Sequence, residues 1–358
     1  MEILLGICLV QSRYGEDTAY GRRLGQALTR LGCHVLEVDT SEEINVGDLE
    51  THFRCPQLIH GFHLVKSGLA CQEIARRSRL PLVITCTGTD VFVDLQTPIL
   101  NEQVRTVLST ADKVVVPFYG MLPYLKEFLP EDSRFRVIPK GVRAAPPSDL
   151  PELSVTPLPP HARVVVVPGA VVPVKNTLFA IQALEPLLGR IPDLHLVILG
   201  NHLDQEYGQL VAQAAAGQPW IRLVPELSPG EMSRWYAQAD VILNVSHAEG
   251  GSQCLLEAMS LGAAVLASDI PGNRAYIIDE FANPGRGNGF LYFTSPSPEG
   301  FRRIHDQDDL ASKLEFILRQ HETRAAVGQR AGAWVKENLN PDLEAFLYLE
   351  LYRSLIER

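Results

Sequence analysis

Two glutamates, Glu249 and Glu257, are separated by seven residues and flank the start of an apolar segment. One is expected in a loop and the other about two turns into the following helix, so both side chains can face one ligand. Gly250 and Gly251 stand where this helix opens, and the backbone N–H groups of a helix N-terminus attract anions. A solvated helix face after a tight turn explains the same residues equally well.

The elements on either side of this loop would position these groups. Val241-Ile242-Leu243-Asn244-Val245 has the continuous apolar character of a buried parallel strand. From Ser252 to Leu261 the apolar residues recur with helical spacing, and Gly262 suits the position after the last helical residue. The sequence therefore predicts a strand, a glycine loop and a helix in that order.

This unit resembles the corresponding part of the retaining glycosyltransferases of family 4, which have the GT-B fold. The matching segments are Glu249-x7-Glu257, Glu257-Ala258-Met259-x-x-Gly262 and the strand Val265-Leu266-Ala267-Ser268-Asp269. A Thr87-Gly88-Thr89-Asp90 loop and an Ile270-Pro271-Gly272-Asn273 turn are similar, most of all, to those of the glycosyltransferase 1 domain-containing proteins. The resemblance implies an α/β, GT-B fold, with two doubly wound, Rossmann-like parallel-sheet domains facing a central cleft.

By this resemblance, the C-terminal half binds a nucleotide-diphosphate sugar. Lys175 matches a lysine that contacts the diphosphate, with a solvated lysine near a helix start as the alternative. Glu257 matches the residue that accepts hydrogen bonds from the ribose, and Glu249 the residue near the hydroxyl groups of the donor sugar. Further donor-binding residues would be Gly250, Gly251, Ser252, Asn273 and Arg274.

One position departs from the family pattern. Ala170 stands where the family has an arginine, so one guanidinium group is missing beside the expected diphosphate. Arg274 and Lys140 are the candidates to replace it.

In the N-terminal half, several polar residues follow predicted strands, on the side where parallel sheets bind ligands. His63 resembles the histidine that family members place near the donor sugar. Lys66 and Lys140 are candidates for the acceptor or sugar side. Asp90 could hydrogen-bond the acceptor or sugar, or it could form an Asx turn. His60 is expected to be structural.

Length and composition indicate an ordinary two-domain globular chain. It has 358 residues, of which 46% are hydrophobic and 21% are charged. A net charge of −10 argues against a broad nucleic-acid surface. Six cysteines without a Cys-x-x-Cys pair predict buried free thiols in a reducing, cytoplasmic compartment. The apolar start, residues 3–10, is too short to span a bilayer, and no other run is long enough to do so.

Alternating strands and helices predict two doubly wound sheets. The expected domains are 1–150 and 161–340, joined by a segment with six prolines between residues 144 and 160. Their expected strands are 3–10, 34–38, 57–60, 82–86, 113–117 and 136–139, then 163–167, 195–199, 221–224, 240–245 and 264–268. A last helix, 341–358, is expected by resemblance to pack back on the N-terminal domain. Its apolar side would carry Leu343, Phe346, Leu347, Leu351 and Leu355.

An Asp-x-Asp pattern occurs in Asp306-Gln307-Asp308-Asp309, and in another glycosyltransferase fold such a pattern binds a metal ion. Here it precedes a helical segment. One aspartate is therefore expected to cap that helix and the others to lie in its first turn. No metal site is expected.

The resemblance implies a metal-independent, retaining hexosyltransferase with a nucleotide-diphosphate sugar as donor and a small-molecule acceptor. UDP is the favoured nucleotide, and no cofactor is implied. No protein nucleophile is needed, because the departing phosphate can take the proton of the acceptor. Two alternatives stay open. One is a nucleotide-sugar-binding protein without transferase activity, which Ala170 would favour. The other is a transferase whose acceptor is a thiol or a selenium nucleophile.

Overall fold

The structure, a computed structural model, describes residues 6–11, 16–40, 56–130, 132–143, 158–225, 227–298 and 300–357. The chain forms two compact units. The first consists of Met1–Gly141 with Leu339–Arg358, and the second of Val142–Asn338. Most of the predicted linker, 144–160, and the first residues of the predicted strand 3–10 lie outside the described residues.

The first unit contains a parallel sheet with the strand order β2-β1-β3-β4-β5-β6. The strands are β1 (Gly6–Gln11), β2 (His34–Asp39), β3 (Leu58–Phe62), β4 (Leu82–Thr85), β5 (Lys113–Val116) and β6 (Phe135–Val137). Its first helices are α1 (Glu16–Arg30), α2 (Gly68–Ser78), α3 (Thr89–Phe92), α4 (Pro98–Thr110) and α5 (Leu122–Lys126). All strands are parallel, but the order in which they are added to the sheet reverses between β1 and β3. The carboxyl ends of these two strands are therefore the expected ligand-binding edge.

The second unit repeats this design with the strand order β12-β11-β10-β7-β8-β9, again parallel. These strands are β7 (Arg163–Pro168), β8 (Leu194–Leu199), β9 (Ile221–Val224), β10 (Val241–Asn244), β11 (Val265–Ser268) and β12 (Phe290–Tyr292). The helices are α6 (Thr177–Leu184), α7 (Gln205–Ala215), α8 (Pro229–Gln238), α9 (Gln253–Ser260), α10 (Pro271–Arg274), α11 (Gln307–Arg319) and α12 (His321–Asn338). In this sheet the strand order reverses between β7 and β10.

The predicted α/β class and the parallel strands of both sheets are confirmed. Gly262 ends α9 as expected, with a φ of 78° and a hydrogen bond from the next amide, Ala263 N, to Ala258 O of 3.0 Å. Asp306 caps α11 by accepting from Asp309 N at 2.9 Å, also as predicted. Within the described residues, no helix has both the length and the apolar character needed to cross a membrane.

Strand β12 and the antiparallel hairpin β13 (Thr294–Pro296) and β14 (Arg303–His305) were not predicted from the sequence. Each of these strands has only three residues. Segments this short contain too few residues to establish a periodic pattern, so their pairing depends on tertiary contacts.

The last helix, α13 (Pro341–Ile356), belongs to the first unit and packs into its core. The predicted apolar side was wrong in part, because Leu343 and Phe346 are exposed. The face that is buried includes Tyr348 and Tyr352, whose hydroxyl groups find partners in the core. The phenol of Tyr348 lies 3.1 Å from the hydroxyl of Tyr20. Hydrogen bonding thus lets tyrosines occupy positions that an apolar pattern alone does not reveal.

His60 on β3 is a buried partner of α13. Its Nε2 lies 2.7 Å from Thr85 Oγ1, and its Nδ1 lies 2.7 Å from the hydroxyl of Tyr352. Burial lowers the pKa of His60 to about 3. The side chain is therefore neutral and structural, as expected from the sequence.

We predict that His60 makes the stability of the protein depend on pH. An exposed histidine takes up its proton near pH 6.5, but folded His60 does so only at about pH 3. Between these values the unfolded state binds more protons, so the free energy of unfolding falls as the pH falls, by up to about 1.4 kcal/mol per pH unit. Urea unfolding across this window should show a weaker pH dependence in His60→Gln than in the wild type. An identical dependence in both proteins would contradict this role.

Candidate active site

Two loops meet where the strand order of the second sheet reverses. One follows β7 and carries Lys175 at the end of a short 3-10 turn, Pro173–Lys175. The other follows β10 and carries Glu249. The ammonium of Lys175 donates to both carboxylate oxygens of Glu249, at 2.9 Å to Oε1 and 3.2 Å to Oε2. The reversal point is where doubly wound sheets bind ligands, and the pair lies at that point.

Glu249 is buried, with 5% of its surface exposed, and it is held from several sides. Its Oε1 also accepts from Ser246 Oγ at 2.6 Å and from Asn244 Nδ2 at 3.0 Å. Burial alone would raise the pKa of Glu249, but the charge of Lys175 and these hydrogen bonds outweigh it and lower the pKa. The carboxylate is therefore ionised. Among the described residues, Lys175 alone donates to Oε2, which therefore keeps capacity for a ligand hydroxyl.

A second layer of polar groups holds Glu249 and its neighbours. Asn273 Nδ2 donates to Asn244 Oδ1 at 3.1 Å and to Ser268 O at 2.9 Å. Gly272 packs against the backbone of Glu249, where an added Cβ would come within 2.0 Å of the carbonyl oxygen. The turn 270–274 thus requires glycine at this position and fixes Glu249 from behind. The Oδ1 atom of the buried Asn273 has no hydrogen-bond partner among the described residues.

The N-terminus of α9 comes from the same loop as Glu249. Gly251 has a φ of 91°, in the left-handed region that glycine tolerates. Ser252 is the N-cap residue, but its side chain makes no capping bond, and the first turn has no acidic residue. Further along, Gln253 donates to Glu257 Oε1 at 3.1 Å, so both side chains lie on one face of the helix. This helix end has the polarity that favours an anion.

Arg274 does not point freely toward a ligand. Its guanidinium forms a two-bond ion pair with Asp269, which follows β11, and the pair is exposed. This pair would have to open before Arg274 could substitute for the arginine missing at Ala170.

A cavity of about 280 Å³ adjoins the Lys175 loop at the carboxyl ends of β8 and β9. Gly200, Asn201 and Val224 are among its lining residues. The loop is tied to this cavity because Val171 N donates to Asn201 O at 2.8 Å. The sequence did not indicate this cavity, because lining residues such as Ile198, Leu223 and Val224 were predicted only as parts of buried strands.

Three side chains on the hairpin side of the Glu249 loop form a hydrogen-bonded chain. His305 Nε2 lies 3.0 Å from His247 Nδ1, and the hydroxyl of Tyr292 lies 2.6 Å from His305 Nδ1. Arg303 N also donates to His247 Nδ1, at 3.1 Å. Burial, followed by the charges of Arg302 and Arg303, lowers the pKa of His247 to about 4. Burial, followed by His247 and Arg303, lowers the pKa of His305 to about 3. Both rings are therefore neutral near pH 7.

In the first unit, His63 directly follows β3 at the reversal point. It is buried and has a φ of 75°, unusual for a residue with a side chain. Its Nδ1 accepts from the amides of Val65 and Lys66, at 3.2 Å each, so the ring proton lies on Nε2. Nε2 lies 2.9 Å from Thr89 Oγ1. Such strain persists where the surrounding structure enforces it, often at functional sites.

The other candidates of the first unit differ in accessibility. Lys66 is exposed. Asp90 has no exposed surface, and its carboxylate accepts from the backbone N–H groups of Leu64, Thr87, Gly88 and Val91. The suggestion that Asp90 contacts a ligand is therefore replaced by the turn-forming alternative. Lys140 is buried with its ammonium 5.4 Å from the centre of the Tyr20 ring, which also makes it a poor replacement for the missing arginine.

Sequence reasoning missed several residues of the second unit's site. Asn244 and Ser246 bind the carboxylate of Glu249 but were read only as the end of a strand and a loop. Their signal is two polar residues at the end of an otherwise apolar strand. His247 and His305 are far apart in the sequence, and only the unpredicted hairpin brings them together.

Residues 152–334, which are 183 of the 358 residues, match the family model described as glycosyl transferases group 1. The chain therefore belongs to the group 1 glycosyltransferases.

Two curated relatives match at low identity. Glycosyltransferase 1 domain-containing protein 1 of Xenopus tropicalis is 25% identical over 182 residues, which cover 51% of this chain and 48% of that protein. D-inositol 3-phosphate glycosyltransferase of Kineococcus radiotolerans is 26% identical over 212 residues, covering 56% and 46%. The chain thus matches about half the length of each relative.

Solved structures match over nearly the entire chain. Sucrose-phosphate synthase from Thermosynechococcus elongatus has a TM-score of 0.75 at 18% identity and covers 99% of both chains. Anabaena HepE, solved in complex with UDP-glucose, has a TM-score of 0.75 at 16% identity and covers 98% of this chain and 100% of HepE. At these identities the similarity establishes the fold, and it confirms the predicted GT-B class.

We predict that Lys175 and Glu249 stabilise the second unit as a pair. Lys175→Met leaves a buried carboxylate without its counter-charge and should lower the free energy of unfolding by roughly 3 kcal/mol. Adding Glu249→Gln should recover much of this loss, because the charge is then removed. Urea unfolding of the single and double variants forms a double-mutant cycle. Additive effects of the two substitutions would mean that the pair is not coupled.

Proposed function

We propose that this protein is a retaining glycosyltransferase that uses a nucleotide-diphosphate sugar, with UDP-sugar favoured. The observation that carries the proposal is the buried Lys175–Glu249 pair at the strand-order reversal of a group 1 family member. The ammonium of Lys175 can bind a diphosphate, and the ionised carboxylate of Glu249 can accept hydrogen bonds from sugar hydroxyl groups.

The donor would bind as follows. Lys175 and the N-terminus of α9 attract the diphosphate, whose negative charge grows as the sugar departs. Lys175 then exchanges the carboxylate of Glu249 for phosphate oxygens. Glu249 Oε2 is thereby released to accept hydrogen bonds from the sugar. Its Oε1 stays fixed by Ser246 and Asn244.

The nucleoside would extend away from this point. Glu257, on the exposed face of α9 beside Gln253, accepts hydrogen bonds from the ribose. The base enters the cavity lined by Gly200 and Asn201, which is joined to the Lys175 loop. Asn201 and His202 bring polar side chains to this cavity, so base selection would depend on them.

For the first unit, we propose that His63 donates its Nε2–H to the sugar and that Lys66 assists acceptor binding. The amides of Val65 and Lys66 fix the tautomer of His63, so the donor is ready before a ligand arrives. His63 now shares Nε2 with Thr89, and a sugar hydroxyl would take the place of that contact.

The chemistry we propose needs no protein nucleophile or metal ion. The bond between the sugar and the diphosphate breaks, the acceptor attacks from the same face, and the acceptor proton passes to the departing phosphate. Lys175 stabilises the charge that a metal ion would otherwise balance. In the part of the chain that the structure describes, Cys33, Cys71 and Cys86 are buried and form no disulfide, which supports a cytoplasmic location.

A nucleotide-sugar-binding protein without transferase activity is the second candidate. The observation that favours it is Ala170, which removes a guanidinium from the diphosphate site. The experiment below separates the two candidates.

We predict that UDP binds more tightly than GDP or ADP in isothermal titration calorimetry. Lys175→Ala and Glu257→Ala should each weaken binding by about 1–3 kcal/mol, the scale of a hydrogen bond to a charged group. The matched controls are Lys336→Ala and Glu337→Ala, two exposed residues near the end of α12, which should bind as the wild type does. If none of the three nucleotides binds, the site assignment is wrong.

The same protein should slowly release free sugar from the matching nucleotide sugar. Lys175→Ala should abolish this release, and EDTA should leave it unchanged because no metal ion takes part. A strict need for a divalent cation would contradict the metal-independent mechanism. Tight binding without hydrolysis, and without transfer to any of a broad set of acceptors, would favour the binding-protein candidate.

A further inference from the structure

His247 connects the two loops of the candidate site. Its backbone N–H donates to the carbonyl of Val174, the residue before Lys175, at 2.8 Å. The preceding residue, Ser246, donates to Glu249. His247 is therefore hydrogen-bonded to the residue before Lys175 and follows the residue whose side chain binds Glu249. Its side chain is half-buried.

The tautomer of His247 is determined by its partners. The backbone amide of Arg303 can only donate, so Nδ1 of His247 must accept and the proton must lie on Nε2. His305 Nε2 faces the same Nδ1 and therefore also donates. This leaves His305 Nδ1 to accept from the hydroxyl of Tyr292. The amide of Arg303 thus determines the donor and the acceptor in each hydrogen bond of the series from Tyr292 to His247.

The Nε2–H group of His247 is left as a donor without a partner among the described residues. Its surroundings are positive, because Arg302 and Arg303 are near enough to lower the pKa of the ring. A neutral N–H donor in a positive environment, next to a lysine loop, is suited to an anionic oxygen.

Resting on the function proposed above, we propose that His247 is a further donor-binding residue, whose Nε2–H donates to a diphosphate oxygen beside Lys175. The amide of Arg303 and the ring of His305 keep this nitrogen protonated by donating to Nδ1. Tyr292 is a positioning residue that orients His305. This contact supplements Lys175 where Ala170 leaves the guanidinium missing. The hairpin β13–β14 carries Arg303 and His305 and so holds the imidazole in place.

The contrasting role for His247 is a purely structural link between its loop and the hairpin. Two substitutions distinguish the roles. His247→Asn places an amide oxygen near the former Nδ1, so it can still accept from Arg303 and His305, but it has no group at the position of Nε2. His247→Gln can reach that position with its own N–H. The matched control is His321→Asn, an exposed histidine at the start of α12.

The test is calorimetric titration of the full chain with UDP, or with GDP or ADP if one of these binds more tightly. His247→Asn should bind roughly tenfold more weakly than the wild type, the scale of losing one hydrogen bond to a charged group. His247→Gln should lose distinctly less, and His321→Asn should lose nothing. Equal losses in Asn and Gln, or no loss in either while Lys175→Ala still binds more weakly than the wild type, would overturn this inference and leave the proposed function standing. A wild type that binds none of the three nucleotides would overturn both.

A spectroscopic measurement checks the positioning independently of catalysis. In protein labelled with ¹⁵N-histidine, long-range ¹H–¹⁵N correlations should show His247 and His305 as Nε2–H tautomers. Adding the nucleotide should shift the Nε2 signal of His247. In His305→Phe the Nε2–H tautomer of His247 should persist, because the amide of Arg303 still donates to Nδ1. A His247 signal that does not respond to saturating nucleotide would contradict direct contact.

Discussion

The ion pair between Lys175 and Glu249 is the interaction on which the site depends. Glu249 is buried and only 14% of the Lys175 side chain is exposed, so neither charge can lose the other without a substitute. In the proposed donor complex, a diphosphate would take the place of Glu249 beside Lys175. One carboxylate oxygen would then be free to accept a hydrogen bond from the sugar. Recognition of the phosphate and of the sugar would thus be coupled through one lysine. In the absence of ligand the pair also keeps the two loops in position.

The fold supplies this pair with the required geometry. Because β7 and β10 are neighbours in a parallel sheet, the loops that follow them emerge side by side at the reversal point. Close packing then removes the remaining freedom. Gly272 lets the next turn approach the backbone of Glu249, and Asn273 ties that turn to Asn244. Rigid strands, a tight turn and a few hydrogen bonds together preorganise a charged site that would be costly to assemble during the reaction.

The sequence was sufficient to predict features that depend on periodic patterns or on neighbouring residues. Long apolar strands, the glycine that ends α9 and the aspartate that caps α11 follow from periodicity and capping chemistry. Lys175 and Glu249 were identified through the resemblance, but not as partners of each other, because pairing across more than seventy residues leaves no local signal. The burial of Asp90 and Lys140 could not be predicted for the same reason, since burial is set by tertiary packing. The β13–β14 hairpin, and with it the His247–His305 contact, needed the structure because its strands are too short for a pattern.

The measurement that tests the central claim most directly is the affinity for UDP of Glu249→Gln. The glutamine keeps an oxygen for Ser246 and Asn244 but no longer neutralises Lys175. If the carboxylate competes with phosphate for that lysine, the variant should bind UDP more tightly than the wild type, by about fivefold or about 1 kcal/mol. Its turnover of the nucleotide sugar should fall, because the ionised carboxylate that accepts hydrogen bonds from the sugar hydroxyl groups is gone. Equal or weaker binding of UDP would show that Lys175 is not shared between Glu249 and the diphosphate, and the account would be wrong.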